Sequence, residues 1–218
     1  MRVWAVIPVK SLYRSKQRLA RVLSTKERMQ LVRRLLQRLL SELQQLPEIE
    51  QVLVVTSDAE VAGLAGDAGA LVLAESTPPD LNAAVTQGVR YAARQGAEGA
   101  LILPTDLPFV SADAVALILR AGSSGRNAST NGTTVNGACH LEGQPLLLIC
   151  PDEAQDGTNA IFMTPVVDYA FHYGPASFQQ HLAEAALRGY AVQVLTISAL
   201  AFDLDTEDDW FSYQLTKV

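Results

Sequence analysis

Val3-Trp-Ala-Val-Ile-Pro-Val9 is an unbroken apolar run that stops at Lys10 and continues as Ser11-Leu-Tyr-Arg14-Ser-Lys16-Gln-Arg18-Leu. Apolar residues without polar alternation mark a strand buried on both faces. Such a strand needs helices above and below it, and the rest of the chain supplies them. Ser24-Thr-Lys-Glu27 is a capping-box pattern. It opens a helix whose apolar positions Leu31, Val32, Leu35, Leu36, Leu39, Leu40 and Leu43 recur at helical spacing, and Pro47 ends it. Gln51 to Thr56 reads as the next strand, followed by a short helix from about Asp58. Ala70 to Ala74 is a third strand, Thr77-Pro-Pro79 a breaker, and Asp80 to Arg94 a helix. Gly99-Ala-Leu-Ile-Leu103 is a fourth buried strand, and Ser111 caps the helix after it. Further strands fall at Pro145–Cys150, Ala160–Met163 and Tyr190–Ile197, with a helix from about Pro175 to Arg188 and a last one capped by Thr206. This alternation predicts an α/β fold, a three-layer sandwich with a mostly parallel central sheet, in one domain over residues 1–218. Gly122 to Gly143, rich in Gly, Ser, Asn and Thr, reads as a mobile excursion from it.

The 218 residues suffice for one well-packed domain. A formal charge of -6 argues against a nucleic-acid-binding surface, and 49% hydrophobic residues argue against disorder. Cys139 and Cys150 cannot make a disulfide scaffold. No apolar run is long enough to span a bilayer, and Val3–Val9 is shorter than a signal-peptide core. The sequons at Asn127 and Asn131 read as chance in a Ser/Asn-rich loop, and the expectation is a soluble, cytoplasmic protein. Charge is unevenly spread. Residues 1–40 hold eleven Lys/Arg against one acid, Glu27, whereas the remainder holds 6 bases and 22 acids. A positive start and an acidic remainder can focus a polyanion at one end. Within the positive part, Arg28 to Arg38 reads as a solvated helix face.

Common motifs are absent. There is no phosphate-binding G-x-x-x-x-G-K-[ST] loop, and Gly63, Gly66 and Gly69 have the wrong spacing for a dinucleotide turn. His140, His172 and His181 form no ligand cluster and read as ordinary surface or packed histidines. Four other features carry chemistry. The loop after the first strand brings Lys10, Arg14, Lys16 and Arg18 to a strand's carboxyl end, where open α/β sheets collect ligands and cations suit phosphate. Pro104-Thr-Asp106-Leu-Pro108 holds an acid at the same edge. Asp203 and Asp205 stand two apart on what reads as a strand, hence on one face; with Asp106 they would form a Mg²⁺ site. Asp156-Gly-Thr158-Asn159 and Tyr173-Gly174-Pro-Ala-Ser177 are glycine turns beside hydroxyl residues, suited to a second, smaller anion. Two anion sites with carboxylates between them describe nucleotidyl transfer. A phosphate nucleophile is already ionised at neutral pH, so the lack of a catalytic histidine does not count against it.

At these residues the sequence resembles the guanylyltransferases of coenzyme F-420 biosynthesis, which couple GTP to phosphoenolpyruvate or 2-phospho-L-lactate. The resembling stretches are Val6-Ile-Pro-Val-Lys10 through Ser15-Lys16-Gln-Arg18-Leu-Ala, Leu81-Asn82, Thr105-Asp-Leu-Pro108, Asp156-Gly-Thr-Asn159, Gly174-Pro-Ala-Ser-Phe178 with His181, and Asp203-Leu-Asp-Thr206. The resemblance implies a GT-A-like nucleotidyltransferase fold, the kind found in nucleotide-diphospho-sugar transferases. It implies that Lys10 and Lys16 hold GTP phosphates with Ser15 and Arg18 nearby, and that Asn82 lies near the guanine. It places Mg²⁺ on Asp106, Asp203 and Asp205, and the three-carbon phospho-acid at Thr158, Gly174 and Ser177. The expected reaction joins GTP to phosphoenolpyruvate, giving enolpyruvoyl-2-diphospho-5′-guanosine and pyrophosphate. The same chemistry on 2-phospho-L-lactate or 3-phosphoglycerate stays open, as do another nucleotidyl transfer and a non-catalytic nucleotide-binding role. No nucleic-acid or membrane partner is expected, and a homodimer is left open.

Overall fold

Val3–Pro8 forms strand β1, with every side chain buried, in the computed structural model, which describes residues 1–76, 80–124, 134–137 and 144–216. The capping box expected at Ser24 is present: its hydroxyl accepts from the Glu27 N–H while the Glu27 carboxylate accepts from the Ser24 N–H. It starts α1 (Thr25–Gln44), whose leucine stripe is buried. There follow β2 (Ile49–Thr56), α2 (Ala59–Asp67), β3 (Leu71–Ala74), α3 (Leu81–Arg94), β4 (Gly99–Ile102) and α4 (Ala112–Ser124). The second half contributes β5 (Thr134–Gly137), β6 (Leu146–Pro151), β7 (Thr158–Thr164), α5 (Ser177–Leu187), β8 (Ala191–Thr196), α6 (Ser198–Ala201) and α7 (Glu207–Leu215).

One sheet runs in the order β3-β2-β1-β4-β7-β6-β8-β5. Among the described residues β7 and β5 run against the other six strands. Alternation along the strands builds two cores. Ala5, Ile7, Leu101 and Leu103 pack with α1, α2 and α4, whereas Trp4, Val6, Ala100 and Ile102 pack with α3 and α5. This is the three-layer sandwich that the apolar run at Val3–Val9 implies. Gly88 lets α3 lie flat on the sheet, since a Cβ there would stand 2.5 Å from Val6 Cγ1.

Four expectations change. Residues 202–206 are extended but outside the sheet, because the Leu204 N–H donates to Asp106 O at 2.9 Å and its side chain is buried; the segment is tied to a turn, not to a strand. Thr158 opens β7 rather than lying in a turn. The 122–143 stretch is not all loop, since α4 reaches Ser124 and β5 pairs antiparallel with β8. The breaker at 77–79, the sequons at Asn127 and Asn131, Cys139, His140 and the rest of that stretch lie outside the described residues. Finally, Arg28 does not belong to a solvated face. It is buried, for reasons that the site makes clear.

Candidate functional site

The parallel strands β1 and β4 both end at one edge of the sheet, and antiparallel β7, paired through Ile102 and Ile161, begins at that edge. This alone brings the basic loop, the turn at 104–108 and Thr158 together. Beyond β1 the chain makes two short 3-10 turns, Leu12–Arg14 and Gln17–Leu19, separated by Lys16 in the left-handed region at φ 53°. Two side chains hold this loop. Asp58, the cap of α2, accepts from the Leu12 N–H at 3.0 Å. Burial alone would raise its pKa, but the amides of Leu12, Val61 and Glu60 outweigh that and the net shift is downward. Arg28 donates to Ser15 O at 3.2 Å and to Thr25 Oγ1 at 3.1 Å. The basic helix start therefore serves the loop before it.

Held this way, Lys16 points its ammonium between two carboxylates, 3.0 Å from Asp106 Oδ2 and 3.0 Å from Asp205 Oδ1. Burial opposes its charge, but the two aspartates more than offset that and its pKa is raised. Arg18, largely exposed, donates to Asp205 Oδ2 at 3.3 Å. Asp203 completes the group. Burial pushes its pKa up to about 6, and the neighbouring charges of Asp106 and Asp205 add to the rise while Lys16 opposes it. The three aspartates thus converge, as the motif order implies. Two backbone-level ties set their spacing: Leu204 N–H to Asp106 O, and the buried Asn159 amide donating to Leu200 O at 2.8 Å and Ala201 O at 3.1 Å.

Among the described residues no three acidic, histidine or cysteine side chains form a ready-made metal cage, because Lys16 stands between two of the three carboxylates. The donor set nevertheless suits a hard divalent cation: all oxygen, with a carboxylate, Asp203, whose burial and acidic neighbours both disfavour its charged form.

Two cavities open on this centre and share Asp106, Asp205, Pro104 and Leu81. The first, about 310 Å³, is lined by Lys10, Arg14, Ser15 and Lys16. The second, about 390 Å³, is lined by Arg18, Thr158, Tyr173, Gly174, Ser177 and Asp203, among others. Its walls are cross-braced. Asp156 Oδ2 accepts from the Ala176 N–H and Asp156 O from the Phe178 N–H, fastening the start of α5 to the start of β7. Gly174 has φ +137°, a conformation that a side-chain-bearing residue rarely adopts. Thr158, Ser177 and His181 form a buried hydrogen-bonded group at the back.

Of the expected residues, Lys10, Ser15 and Lys16 line the first cavity, Thr158, Gly174, Ser177 and Asp203 the second, and Asp106 and Asp205 both; two stand elsewhere than expected. Arg18 sits on the second cavity rather than the first, and Arg14 takes its place beside Lys10. Asn82 clamps the Tyr173 backbone, accepting from its N–H at 2.6 Å and donating to its carbonyl at 3.1 Å. The sequence reading missed Asp58, Arg28, Asn159 and His181. Only Asn159 and His181 had a signal, lying within the resembling stretches.

Comparison with known proteins settles the family. Residues 2–215 match the family model described as guanylyl transferase CofC like. This chain belongs to the CofC-like guanylyl transferases. The CofC-like chain is 36% identical to the phosphoenolpyruvate guanylyltransferase of Rubrobacter xylanophilus, over 96% of its own length and 92% of that protein. It is 28% identical to the 2-phospho-L-lactate guanylyltransferase of Methanothermobacter thermautotrophicus, over 96% and 82%. A solved structure from Desulfovibrio desulfuricans G20, titled as a nucleotide-diphospho-sugar transferase, covers all of the CofC-like chain and 88% of its own, with a TM-score of 0.74 at 16% identity. That likeness bears out the GT-A-like fold. No helix among the described residues is long and apolar enough to cross a membrane.

Proposed function

We propose that this CofC-like chain transfers the guanylyl group of GTP to phosphoenolpyruvate, releasing pyrophosphate. The observation that carries the reading is that two cavities, one lined by Lys10, Arg14 and Lys16 and the other by Thr158, Ser177 and Arg18, share Asp106 and Asp205. The lysine-lined cavity takes the triphosphate, with Lys10, Arg14, Ser15 and Lys16 along it. The hydroxyl-lined cavity takes the phospho-acid at Thr158, Gly174 and Ser177, and Arg18 beside Asp205 meets its phosphate. An oxygen of the acceptor phosphate attacks the α-phosphorus of GTP, forming one P–O bond as the bond to the β-phosphate breaks. The electron pair leaves with pyrophosphate. No protein base is needed, because the attacking phosphate monoester is already ionised, so the residues act by orientation and by charge. Asp106, Asp203 and Asp205 are the residues that would hold Mg²⁺, and a cation there supplies neutralisation for the phosphate oxygens. Asn82 acts through the Tyr173 turn, at the acceptor end.

Phosphoenolpyruvate is favoured over 2-phospho-L-lactate because the relatives with the higher identity carry the former name. Purified protein with Mg²⁺ and GTP, offered each acid in turn, tests this. Pyrophosphate release that requires the acid, and is fastest with phosphoenolpyruvate, is expected; release from GTP alone, no release with any acid, or faster release with 2-phospho-L-lactate contradicts it.

A further inference from the structure

His181 lies fully buried on α5 behind the second cavity, and its ring makes two hydrogen bonds. The backbone N–H of His172 donates to Nε2 at 2.9 Å. A ring nitrogen that accepts carries no proton, so the neutral imidazole holds its proton on Nδ1. Nδ1 stands 3.0 Å from Thr158 Oγ1, so the ring donates and the threonine accepts. Ser177 Oγ lies 3.3 Å from the same oxygen. The two hydroxyls have two protons and one bond between them, and neither can donate to a ring nitrogen that already bears hydrogen. One hydroxyl proton is therefore left over. Both residues line the second cavity, and that is where it can go.

We propose that His181 is a positioning residue: by holding its proton on Nδ1 it keeps the Thr158–Ser177 pair as a hydrogen-bond donor to an anionic oxygen of the bound phospho-acid. This rests on reading that cavity as the acceptor site. With the other tautomer Nδ1 would accept, one more hydroxyl proton would turn inward, and the cavity would lose its donor. The surroundings lock the ring. Tyr173 stands against it at a centroid distance of 5.0 Å, and Tyr169 donates from its hydroxyl to the His181 carbonyl at 2.7 Å. The titratable groups facing it are His172 and Glu184, and the Glu184 carboxylate is engaged by Arg188 and the Ala170 N–H.

The tautomer is read directly by long-range nitrogen–proton NMR on protein labelled at histidine, with the His181 signals assigned by their loss in His181→Asn. The expected pattern at neutral pH is a protonated Nδ1 and a bare Nε2; a protonated Nε2, or an imidazolium, overturns the proposal. Kinetics of two variants supply the second arm. The His181→Gln amide reaches the Nε2 position and keeps the His172 bond but not the Thr158 bond, so the KM for the acid should rise on the order of tenfold with the KM for GTP unchanged. The His181→Asn amide reaches the Nδ1 position and should restore most of that loss. Equal effects of both variants on both substrates would overturn the proposal too. If the parent protein transfers no guanylyl group, the functional reading fails while the NMR result still decides the tautomer.

Discussion

Lys16 and Asp106 are separated by 90 positions in the chain, yet their side chains meet at 3.0 Å between Nζ and Oδ2. The same ammonium reaches Asp205 Oδ1 at 3.0 Å, so one residue of the basic loop ties two carboxylates of the acidic centre. Lys16 thus offsets part of the negative charge of the centre from within. Removing Lys16 should take that offset away.

Lys16→Met leaves Asp106, Asp203 and Asp205 facing one another without their buried counter-charge. Asp106 and Asp205 stay partly solvated, which limits the damage. The expected loss is about 1–2 kcal/mol in denaturant melts without added metal, with millimolar Mg²⁺ restoring more stability to the variant than to the parent. Identical melting curves with and without Lys16 would show that the pairing contributes nothing.

Asp106→Asn keeps the shape of the turn and removes one of the two charges that both cavities share. The rate of transfer should fall at least ~100-fold, the scale of a main electrostatic stabiliser, with the melting temperature nearly unchanged. Steady-state kinetics beside a thermal melt separate the two effects.

Asn82→Ala removes both clamps on the Tyr173 backbone. The variant should raise the KM for the phospho-acid several-fold and leave that for GTP alone. A selective rise in the GTP KM would instead mean that Asn82 touches the guanine, which is what the family resemblance implies.

Stability should also depend on pH through His181. Burial lowers its pKa from 6.5 to about 4, the charge of His172 adding to the fall. As pH drops below 6.5 the unfolded chain takes up a proton that the folded chain refuses, so stability is lost down to about pH 4, on the order of 3 kcal/mol in all. Asp203, raised from 3.8 to about 6, works in the opposite sense over much of the same range. The informative quantity is therefore the difference between parent and His181→Asn, in which Asp203 cancels. The parent should lose stability relative to the variant on acidification; a constant difference would refute the shift.

What was legible in the sequence was whatever depends on local pattern. The run at Val3–Val9 announces burial on both faces, and the strand-to-helix alternation then leaves few architectures. The aspartates were legible because they fall in the connections between elements that the pattern marks. Arg28 was not. Its spacing on α1 equals that of a solvated arginine, and its burial follows from the preceding loop folding back so that Ser15 O reaches the guanidinium. Residues 202–206 alternate like a strand, but their backbone pairs with Asp106 O, a partner no local rule could name. β5 forms in a stretch of low strand propensity because β8 offers it an open edge. His181 looked like any packed histidine, since its meaning lies in which nitrogen accepts from His172.

On the proposed function, the two cavities meet where the guanylyl group passes between two bound substrates. Phosphorus NMR of the complete mixture tests it most directly. The account predicts a new unsymmetrical diphosphate appearing together with pyrophosphate, only when GTP and the phospho-acid are both present, and failing to appear with Asp106→Asn. Orthophosphate or GDP as the product, or pyrophosphate from GTP alone with no new diphosphate, would contradict it.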